Sequence, residues 1–362
     1  MKQKGNNKIF TITGFFMILA GLFILFSASM GLLTREKAEF ADIILKQLIF
    51  CVVGVLAFFT TSRIDYKNWK KFALPLFLLS FLATLLVFEP HLGFGHGGAR
   101  RWISLGPVSF QPSELLKFSF IVYLASWMSV RKKDIKSFRF GLMPFLIITA
   151  FVGLVLVAEP DIGTLGVITI TSGLMFLIGG GKFSQIALMI FLGIGLLYAL
   201  ILIKPHAMDR LETFLNPSLD PQGSGYQVRQ SLIAIGSGGI SGRGFGMSIQ
   251  KFKYLPEPIG DSIFAVFAEE FGFIGNVALI FLFLFFLYRG FLIVLRATDP
   301  FAKLLGAGIL ISIIIQSFIN IGSMIGIIPL TGVPLIFVSQ GGSALVLALA
   351  EIGILINISR YG

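Results

Sequence analysis

Long apolar runs recur along the whole chain of 362 residues, and they constrain its fold more than any other feature. A run needs roughly 20 apolar residues to cross about 30 Å of hydrocarbon, where only helices and closed barrels satisfy every backbone polar group. The runs of about that length cover residues 9–30, 43–60, 72–88, 112–129, 141–158, 162–180, 183–203, 262–288, 303–328 and 335–358. The sequence therefore predicts an all-α integral membrane protein with about ten transmembrane helices in a single polytopic domain, residues 1–362.

The composition excludes two broad classes of protein. Hydrophobic residues make up 56% of the chain and charged residues 13%, which is more apolar surface than a water-soluble enzyme can bury. The same figures, with 39 Phe, are the opposite of a disordered composition. The single cysteine, Cys51, excludes a disulfide framework.

The distribution of charge predicts how the chain crosses the membrane. The formal net charge is +11, and Lys and Arg gather in the short loops on the side of the N-terminus. The opposite loops carry almost no net charge. Because positively charged loops remain in the cytoplasm, both termini are predicted to be cytoplasmic. The excess charge thus indicates membrane orientation and not a nucleic-acid partner.

Two connections on the predicted outer side are longer than the others. They cover residues 89–111 and 204–261, and long loops in compact domains are usually functional. The second connection contains prolines and a glycine cluster, but also apolar residues. We therefore expect residues 204–261 to form a large extracytoplasmic loop that folds against the helix bundle.

Charged residues inside apolar runs need a specific reason, because each costs roughly 2.5–3.5 kcal/mol at the bilayer centre unless it is paired or hydrated. Glu114 and Lys117 are three residues apart, so they share one helix face and can neutralise each other. A purely structural pair near a helix N-terminus and a functional pair fit this spacing equally well.

Two aspartates lie where apolar runs begin on the predicted outer side. Asp261 follows a Pro-rich turn, and a helix N-cap is one explanation for it. The alternative is a general base opposite an anionic substrate, because Arg243, Lys251 and Lys253 lie nearby in the sequence. Asp161 occupies a short turn and fits either a cap or a ligand-binding residue.

The glycine-rich segment 236–246 lacks the features of a nucleotide-binding loop, because no Gly-Lys-Ser/Thr follows it and no strand precedes it. Its backbone can still approach a phosphate or sugar closely, and flexibility explains it equally well. His91, His96 and His206 are too scattered for a metal-ligand motif.

Short motifs stand in order along nearly the whole chain. They are Arg101-Trp102-Ile103, QPSELLK (111–117), EPDIGT (159–164), FLNP (214–217), Gly225-Tyr226-Gln227, AIGSGG (234–239), YLPE (254–257) and PLTGVP (329–334). In this order they resemble the SEDS family (shape, elongation, division and sporulation), membrane glycosyltransferases that polymerise lipid II into peptidoglycan. The resemblance implies the SEDS fold and a place in the bacterial cytoplasmic membrane.

The resemblance also implies that Asp261 is the general base. The 4-hydroxyl of the GlcNAc on an incoming lipid II would attack the anomeric carbon of the lipid-linked strand and displace undecaprenyl pyrophosphate with inversion. Because pyrophosphate leaves readily, one base suffices when positive charge stabilises the departing group. That charge would come from basic side chains or from a divalent ion such as Mg or Mn. The basic candidates are Arg210, Arg243, Lys251 and Lys253, and the cavity-lining candidates are Glu114, Lys117 and Asp161.

Within the family, the sequence looks more like the septal, FtsW-type members than the elongation, RodA-type ones, because of residues 248–257 and 353–360. It departs from the family pattern at Pro258-Ile259-Gly260-Asp261-Ser262, where Ala/Gln-His-Thr-Asp-Phe is usual. The resemblance implies several partners: lipid II, the growing glycan strand, a class B penicillin-binding protein that acts as transpeptidase, and other divisome or elongasome proteins.

Two other functions fit a many-helix bundle with intramembrane charges. One is a lipid II flippase, and the other is a scaffold that recruits division proteins. A transporter should present broken helices near the membrane midplane, whereas the ionisable residues and Gly/Pro segments concentrate at one surface here. The sequence therefore favours the enzyme.

Overall fold

The computed structural model describes residues 2–34, 37–96, 99–106, 108–203, 213–215 and 223–361, and helices dominate it. We number the helices in chain order. They are α1 (Lys2–Ser29), α2 (Lys37–Arg63), α3 (Tyr66–Lys71), α4 (Ala73–Leu85), α5 (Pro112–Val130), α6 (Met143–Ala158), α7 (Ile162–Ile178), α8 (Phe183–Ile203), α9 (Ser224–Ser237), α10 (Ile263–Arg296), α11 (Pro300–Met324) and α12 (Gly342–Tyr361).

The helices confirm the predicted fold class. A helix occupies each of the ten apolar runs, namely α1, α2, α4 to α8 and α10 to α12. Within the described residues, six helices are long and apolar enough to cross a membrane, and α4, α7 and α8 contain shorter apolar stretches. The protein is therefore a multi-pass membrane protein.

The last three helices differ from the predicted spans at their ends. Helix α10 continues to Arg296, eight residues beyond the predicted end at 288. Helix α11 stops at Met324, and α12 begins only at Gly342. Residues 325–328 and 335–341 were predicted to be helical because they are apolar, but Gly326 and Phe337 have left-handed φ values of +73° and +70°, which an α-helix does not accommodate.

The sequence did not predict the three-stranded antiparallel sheet in the connection between α4 and α5. Its strands are β1 (Gly93–His96), β2 (Ala99–Leu105) and β3 (Val108–Phe110), in the order β1-β2-β3. Phe94 pairs with Trp102, and Ser104 pairs with Ser109. The all-α assignment was therefore incomplete: short strands in a loop leave too weak a pattern beside long apolar helices.

Several helix starts follow from local sequence. Pro112 and Pro300 stand at the first positions of α5 and α11, where the missing N–H costs nothing. Asp161 and Asp299 cap α7 and α11, because their side chains accept from the backbone N–H of Thr164 and Phe301. These caps fix where the chain enters the bundle.

The centre of the bundle is formed by α5, α11, α12 and the first eight residues of α10. Helices α11 and α12 are buried over most of their length, whereas α2 has a broad exposed apolar face, as expected for lipid contact. Residues 263–270 of α10 are buried on every side. This central position brings the start of α10 next to α11 and α12.

Helix α10 is kinked at Gly272, which has the left-handed φ of +65°. Residues 239–244 of the glycine-rich segment pack against the kink and supply hydrogen bonds in place of the missing helical ones. Phe273 N donates to Gly239 O, Ile274 N to Ile240 O, Arg243 N to Glu269 O and Gly244 N to Glu270 O, at 2.9–3.1 Å. A Cβ on Gly272 would lie 2.3 Å from Gly242 N, so both segments need glycine here.

The described part of the predicted loop 204–261 folds against the bundle, as the sequence predicted. It comprises α9, the glycine-rich segment and the turns that follow up to α10. Residues 204–212 and 216–222 lie outside the described residues. The connection 325–341 meets this loop at one end of the bundle, where Gln340 N donates to Ile259 O at 2.8 Å. The connection 89–111 lies at the same end, since Gln111 N donates to Ser343 Oγ at 3.1 Å. We call this end the loop end.

Candidate active site

The turn 257–262 presents Asp261 at the loop end, directly before α10. Gly260 N and Ser262 N both donate to the carbonyl oxygen of Glu257, at 3.0 and 3.2 Å. Ser262 is the N-cap residue of α10, so Asp261 stands one residue before the cap. The capping interpretation of Asp261 is therefore wrong, and its carboxylate is available for another role.

The Asp261 carboxylate is only partly buried and only partly hydrogen-bonded. Gln227 Nε2 donates to Asp261 Oδ1 at 3.0 Å and to Ser262 Oγ at 2.9 Å. Ser262 Oγ is 3.5 Å from the same Oδ1. Among the described residues, Asp261 Oδ2 receives no hydrogen bond from a side chain. One carboxylate oxygen is thus held by neutral side-chain donors, while no side chain of the described residues binds the other.

The surroundings of Asp261 make it a stronger base than an exposed aspartate. Burial raises the pKa of Asp261 from 3.8 to about 6, and the nearby Glu257 carboxylate adds to the increase. The hydrogen bonds from Gln227 and Ser262 lower this pKa and offset part of the effect. A carboxylate with a pKa of about 6 is ionised at neutral pH and accepts a proton more readily than an ordinary one.

The backbone around Asp261 is held from α11 and from the segment before α12. Asn320 Nδ2 donates to the carbonyl oxygen of Asp261 at 2.7 Å and to that of Val333 at 2.9 Å. Ser339 Oγ donates to Gly260 O at 2.7 Å. Asn320 and Ser339 thus fix the main chain of the turn and do not bind the Asp261 carboxylate.

A second polar group lies inside the bundle and contains Glu114 and Lys117. Lys117 Nζ lies 2.5 Å from Glu114 Oε2 and also donates to Gln316 Oε1. Gln316 Nε2 returns a hydrogen bond to Glu114 Oε1 at 3.4 Å. All three side chains are buried, and Glu351 of α12 interacts electrostatically with both charged groups. The pairing predicted from the spacing is therefore present.

Asp161 combines the two roles that the sequence left open. Its Oδ1 caps α7 by accepting from Thr164 N at 3.2 Å, and it lies 3.9 Å from Arg101 Nη1. Its Oδ2 accepts from Ser113 Oγ at 3.0 Å and from Gln111 Nε2 at 3.3 Å. Asp161 is buried, so it joins α7 to the start of α5 and to strand β2.

Glu159 is a buried neighbour of Asp161 that the sequence did not single out as a site residue. Burial and then the Asp161 carboxylate raise the pKa of Glu159 to about 9, while Arg101 lowers it in part. Neither carboxyl oxygen has a hydrogen-bond partner within the described part of the chain. Burial and the neighbouring carboxylate thus favour the protonated form of Glu159.

Gln316 and Asn320 connect the buried charge pair to the Asp261 turn, and sequence reasoning missed both. They are four residues apart on α11 and therefore share one face. Gln316 contacts Glu114 and Lys117, and Asn320 contacts the Asp261 backbone. The available signal was two amides spaced by four residues in an otherwise apolar run.

The predicted basic residues are in three different situations. Arg243 is exposed and lies 3.4 Å from Glu269 through its Nε, and Lys253 is exposed with a left-handed φ of +85°. Lys251 differs from the prediction, because its side chain is buried and its ammonium group contacts Glu270 at 2.7 Å. It cannot reach a substrate from this position. Arg210 lies outside the described residues.

The described residues do not form an evident metal site. No group of three or more His, Cys, Asp or Glu side chains converges within the part of the chain that the structure describes. Asp261 has neutral hydrogen-bond donors beside it, and Glu114 already has the Lys117 ammonium. We therefore derive no step of the reaction from a metal ion.

Comparison with known proteins gives one family over almost the whole chain. The sequence pattern of the FtsW, RodA and SpoVE family, described as "Cell cycle protein", matches residues 7–362. Stage V sporulation protein E of Bacillus subtilis is 38% identical over 360 residues, which is 99% of this chain and 98% of that protein. "Probable peptidoglycan glycosyltransferase FtsW" of Coxiella burnetii is 38% identical over 350 residues, 95% and 93% of the two chains.

Solved structures share the fold. A chain from a peptidoglycan synthase complex, described for its coordination of polymerization and crosslinking, matches with a TM-score of 0.80 and 24% identity, over 97% of this chain and 96% of that one. The rod shape determining protein RodA of Thermus thermophilus matches with a TM-score of 0.68 and 24% identity, over 98% and 97%. At these identities the two structures support the architecture alone.

Proposed function

The chain belongs to the FtsW, RodA and SpoVE family, and on this premise we propose how it works as a peptidoglycan glycosyltransferase. Its substrates are lipid II and a lipid-linked glycan strand, and its product is a longer strand. Asp261 is the general base. The observation that carries the proposal is the Asp261 carboxylate, which neutral donors hold through Oδ1 and whose Oδ2 receives no hydrogen bond from a side chain in the described part of the chain.

In the proposed step, Asp261 removes the proton from the 4-hydroxyl of the GlcNAc on lipid II. The hydroxyl oxygen forms a bond to the anomeric carbon of the lipid-linked strand. The bond from that carbon to the pyrophosphate oxygen breaks, and undecaprenyl pyrophosphate leaves with the electron pair. The attack from the opposite face inverts the anomeric centre. Pyrophosphate needs no protonation to leave, so a second carboxylic acid of the glycosidase type is unnecessary.

Exposed basic side chains of the loop end receive the charge that develops on the pyrophosphate. Arg243 and Lys253 are exposed and positively charged, which suits a mobile anionic group. Arg210 is a further candidate from the same loop. Glu114, Lys117 and Asp161 line the polar cavity near the base. Gln316 and Asn320 of α11 connect this cavity to the Asp261 turn.

The loop end faces the outer side of the bacterial cytoplasmic membrane in this proposal, and both termini are cytoplasmic. The support is the excess of Lys and Arg in the connections at the opposite end, such as Lys132, Lys133 and Lys136. Lipid II presents its sugars on that outer side after translocation. The orientation therefore puts Asp261 and the sugar hydroxyl on the same side.

We further propose that the enzyme works with a class B penicillin-binding protein, a transpeptidase that crosslinks the strands, among other divisome proteins. A septal role is supported by the relatives named FtsW and by the resemblance of residues 248–257. A role in elongation is the alternative. Imaging a tagged copy distinguishes the two, because a septal enzyme gathers at mid-cell and an elongation enzyme along the cylinder.

The central test compares the wild type with Asp261→Asn in a polymerisation assay on purified protein and labelled lipid II. We expect the variant to lose about 10²–10⁴-fold in rate, the usual contribution of a general base. The matched control is Asp42→Asn, an exposed carboxylate paired with Lys46, which should polymerise normally. Equal product from Asp261→Asn and wild type would remove Asp261 from the mechanism. Headgroup translocation in liposomes without polymer would favour the flippase.

A further inference from the structure

Two adjacent acids on α10, Glu269 and Glu270, take no part in the proposed reaction and yet are fully buried. They stand two turns after the start of the helix, on the part that is enclosed on every side. A buried carboxylate is costly unless charged or hydrogen-bonding partners surround it. Both acids have such partners, and the partners belong to the loop that leads to Asp261.

Glu270 binds Lys251 together with Ser27 of α1. Lys251 Nζ donates to Glu270 Oε1 at 2.7 Å, to Ser27 O at 3.0 Å and to Ser27 Oγ at 3.2 Å, which uses all three ammonium hydrogens. Ser27 Oγ in turn lies 2.6 Å from Glu270 Oε2. We call Ser27, Lys251 and Glu270 the latch, because they fasten the loop to two helices.

Glu269 holds the loop residues just before the latch. Its two oxygens accept from Ser237 Oγ, Ser248 Oγ, Ile249 N and Gln250 N at 2.6–3.2 Å, and Arg243 Nε lies 3.4 Å away. Two of these donors are backbone N–H groups, so Glu269 fixes the course of the main chain and not only a side chain. The latch and Glu269 thus act on consecutive residues of one segment.

The fastened segment leads directly into the catalytic turn. From Lys251 the chain makes a tight turn in which Leu255 N donates to Gln250 O at 2.8 Å, and Leu255 is buried in the core. Two residues later, Glu257 O receives the hydrogen bonds that close the Asp261 turn. Gly31 packs against the Lys251 backbone, so that a Cβ there would lie 2.4 Å from Lys251 O. These contacts restrict the movement of the main chain between the latch and Asp261.

We propose that Lys251, Glu270 and Ser27 are positioning residues that set the position of the Asp261 carboxylate through this segment. This inference rests on the proposed role of Asp261 and adds the residues that orient its carboxylate. None of the three touches the substrate. Their effect is therefore on the rate of the chemical step and not on substrate affinity, because a shift of about 1 Å in a catalytic group can cost 10²-fold.

The test separates positioning from simple stability. Lys251→Met and Glu270→Gln each leave one buried partner without its counterpart, so both variants should unfold at lower temperature. The double variant Lys251→Met/Glu270→Gln removes both charges and should regain most of the thermal stability. Its kcat should nevertheless stay about 10–100-fold below wild type with an unchanged KM for lipid II, because the contacts of the latch are still missing.

Two further variants test the same positioning role if the double variant folds poorly. Lys251→Arg retains charge and donors and should recover at least part of the kcat. Ser27→Ala removes one hydroxyl without exposing a charge and should lower kcat several-fold with KM unchanged. Lys46→Met, which breaks an exposed pair with Asp42, is the matched control and should behave as wild type.

The result that would overturn the inference is a double variant, or a Ser27→Ala variant, that has wild-type kcat at wild-type stability. The pair would then be structural only. This outcome is distinct from a failure of the proposed function, in which Asp261→Asn would itself polymerise normally.

Discussion

Asp161 and Asp261 occupy similar positions in the sequence but different environments in the structure. Each precedes an apolar helix at the loop end, and the sequence allowed either to be a cap or a functional acid. Asp161 is buried and both of its oxygens are engaged by donors or by Arg101. Asp261 caps nothing, is partly exposed and has one oxygen open.

A carboxylate with both oxygens engaged joins elements of the fold, whereas a less fully engaged carboxylate such as Asp261 is the stronger candidate for a general base. Burial and the nearby Glu257 carboxylate raise the pKa of Asp261 to about 6, so Asp261 accepts a proton more readily than an ordinary aspartate. Substitutions at the two positions should therefore change stability in opposite directions.

The largest expected effect is the loss of stability in Asp161→Ala. The substitution removes the α7 cap, the acceptor of the buried Ser113 hydroxyl and the carboxylate beside Arg101, which should lower the free energy of unfolding by about 2–4 kcal/mol. Thermal unfolding in detergent measures it, with the exposed Asp42→Ala as control. An Asp161→Ala variant as stable as the control would show that the contacts of Asp161 do not stabilise the fold.

A smaller effect of opposite sign is expected for Asp261→Asn. Because the pKa of Asp261 is about 6 in the folded protein and near 3.8 when unfolded, its ionisation costs stability as pH rises from about 4 to about 6. The amide avoids this cost, so the variant should gain roughly 1–3 kcal/mol above pH 6 and nothing near pH 4. Unfolding measured at both pH values checks the sign; a loss of stability at pH 7 would contradict it.

The smallest effect concerns the pH dependence of the rate. Polymerisation should fall as pH drops through about 6, because Asp261 becomes protonated. Glu257→Gln removes a like charge and lowers this pKa, so the half-maximal rate should move to lower pH by less than about one unit. Rates between pH 5 and 8 measure the shift. Glu89→Gln, at the same end but outside the turn, should leave the profile in place.

The fold was largely predictable because membrane helices leave a strong, continuous signal. Ten apolar runs predicted ten helices, and each is present. The sheet at 93–110 and the kink at Gly272 were not predictable in this way. The sheet depends on pairing between short segments, and the kink depends on a distant glycine segment that supplies its hydrogen bonds.

The candidate site was predictable in its residue types but less so in its contacts. The spacing of Glu114 and Lys117 predicted their pairing, since three residues bring two side chains to one helix face. The burial of Lys251 was not predictable, because its partners Ser27 and Glu270 come from helices that are distant in the sequence. Burial of that kind depends on tertiary structure, which charge counting does not include.

The interrupted helix α10 has a consequence for the order in which the chain is built. The amides of Phe273 and Ile274 depend on carbonyl groups of residues 239 and 240, which are synthesised earlier. An apolar surrounding offers these two amides no other acceptor, so the carbonyl groups must be in place when the kink forms. The kink therefore forms only when α10 packs against the glycine-rich segment, which is already synthesised when α10 emerges.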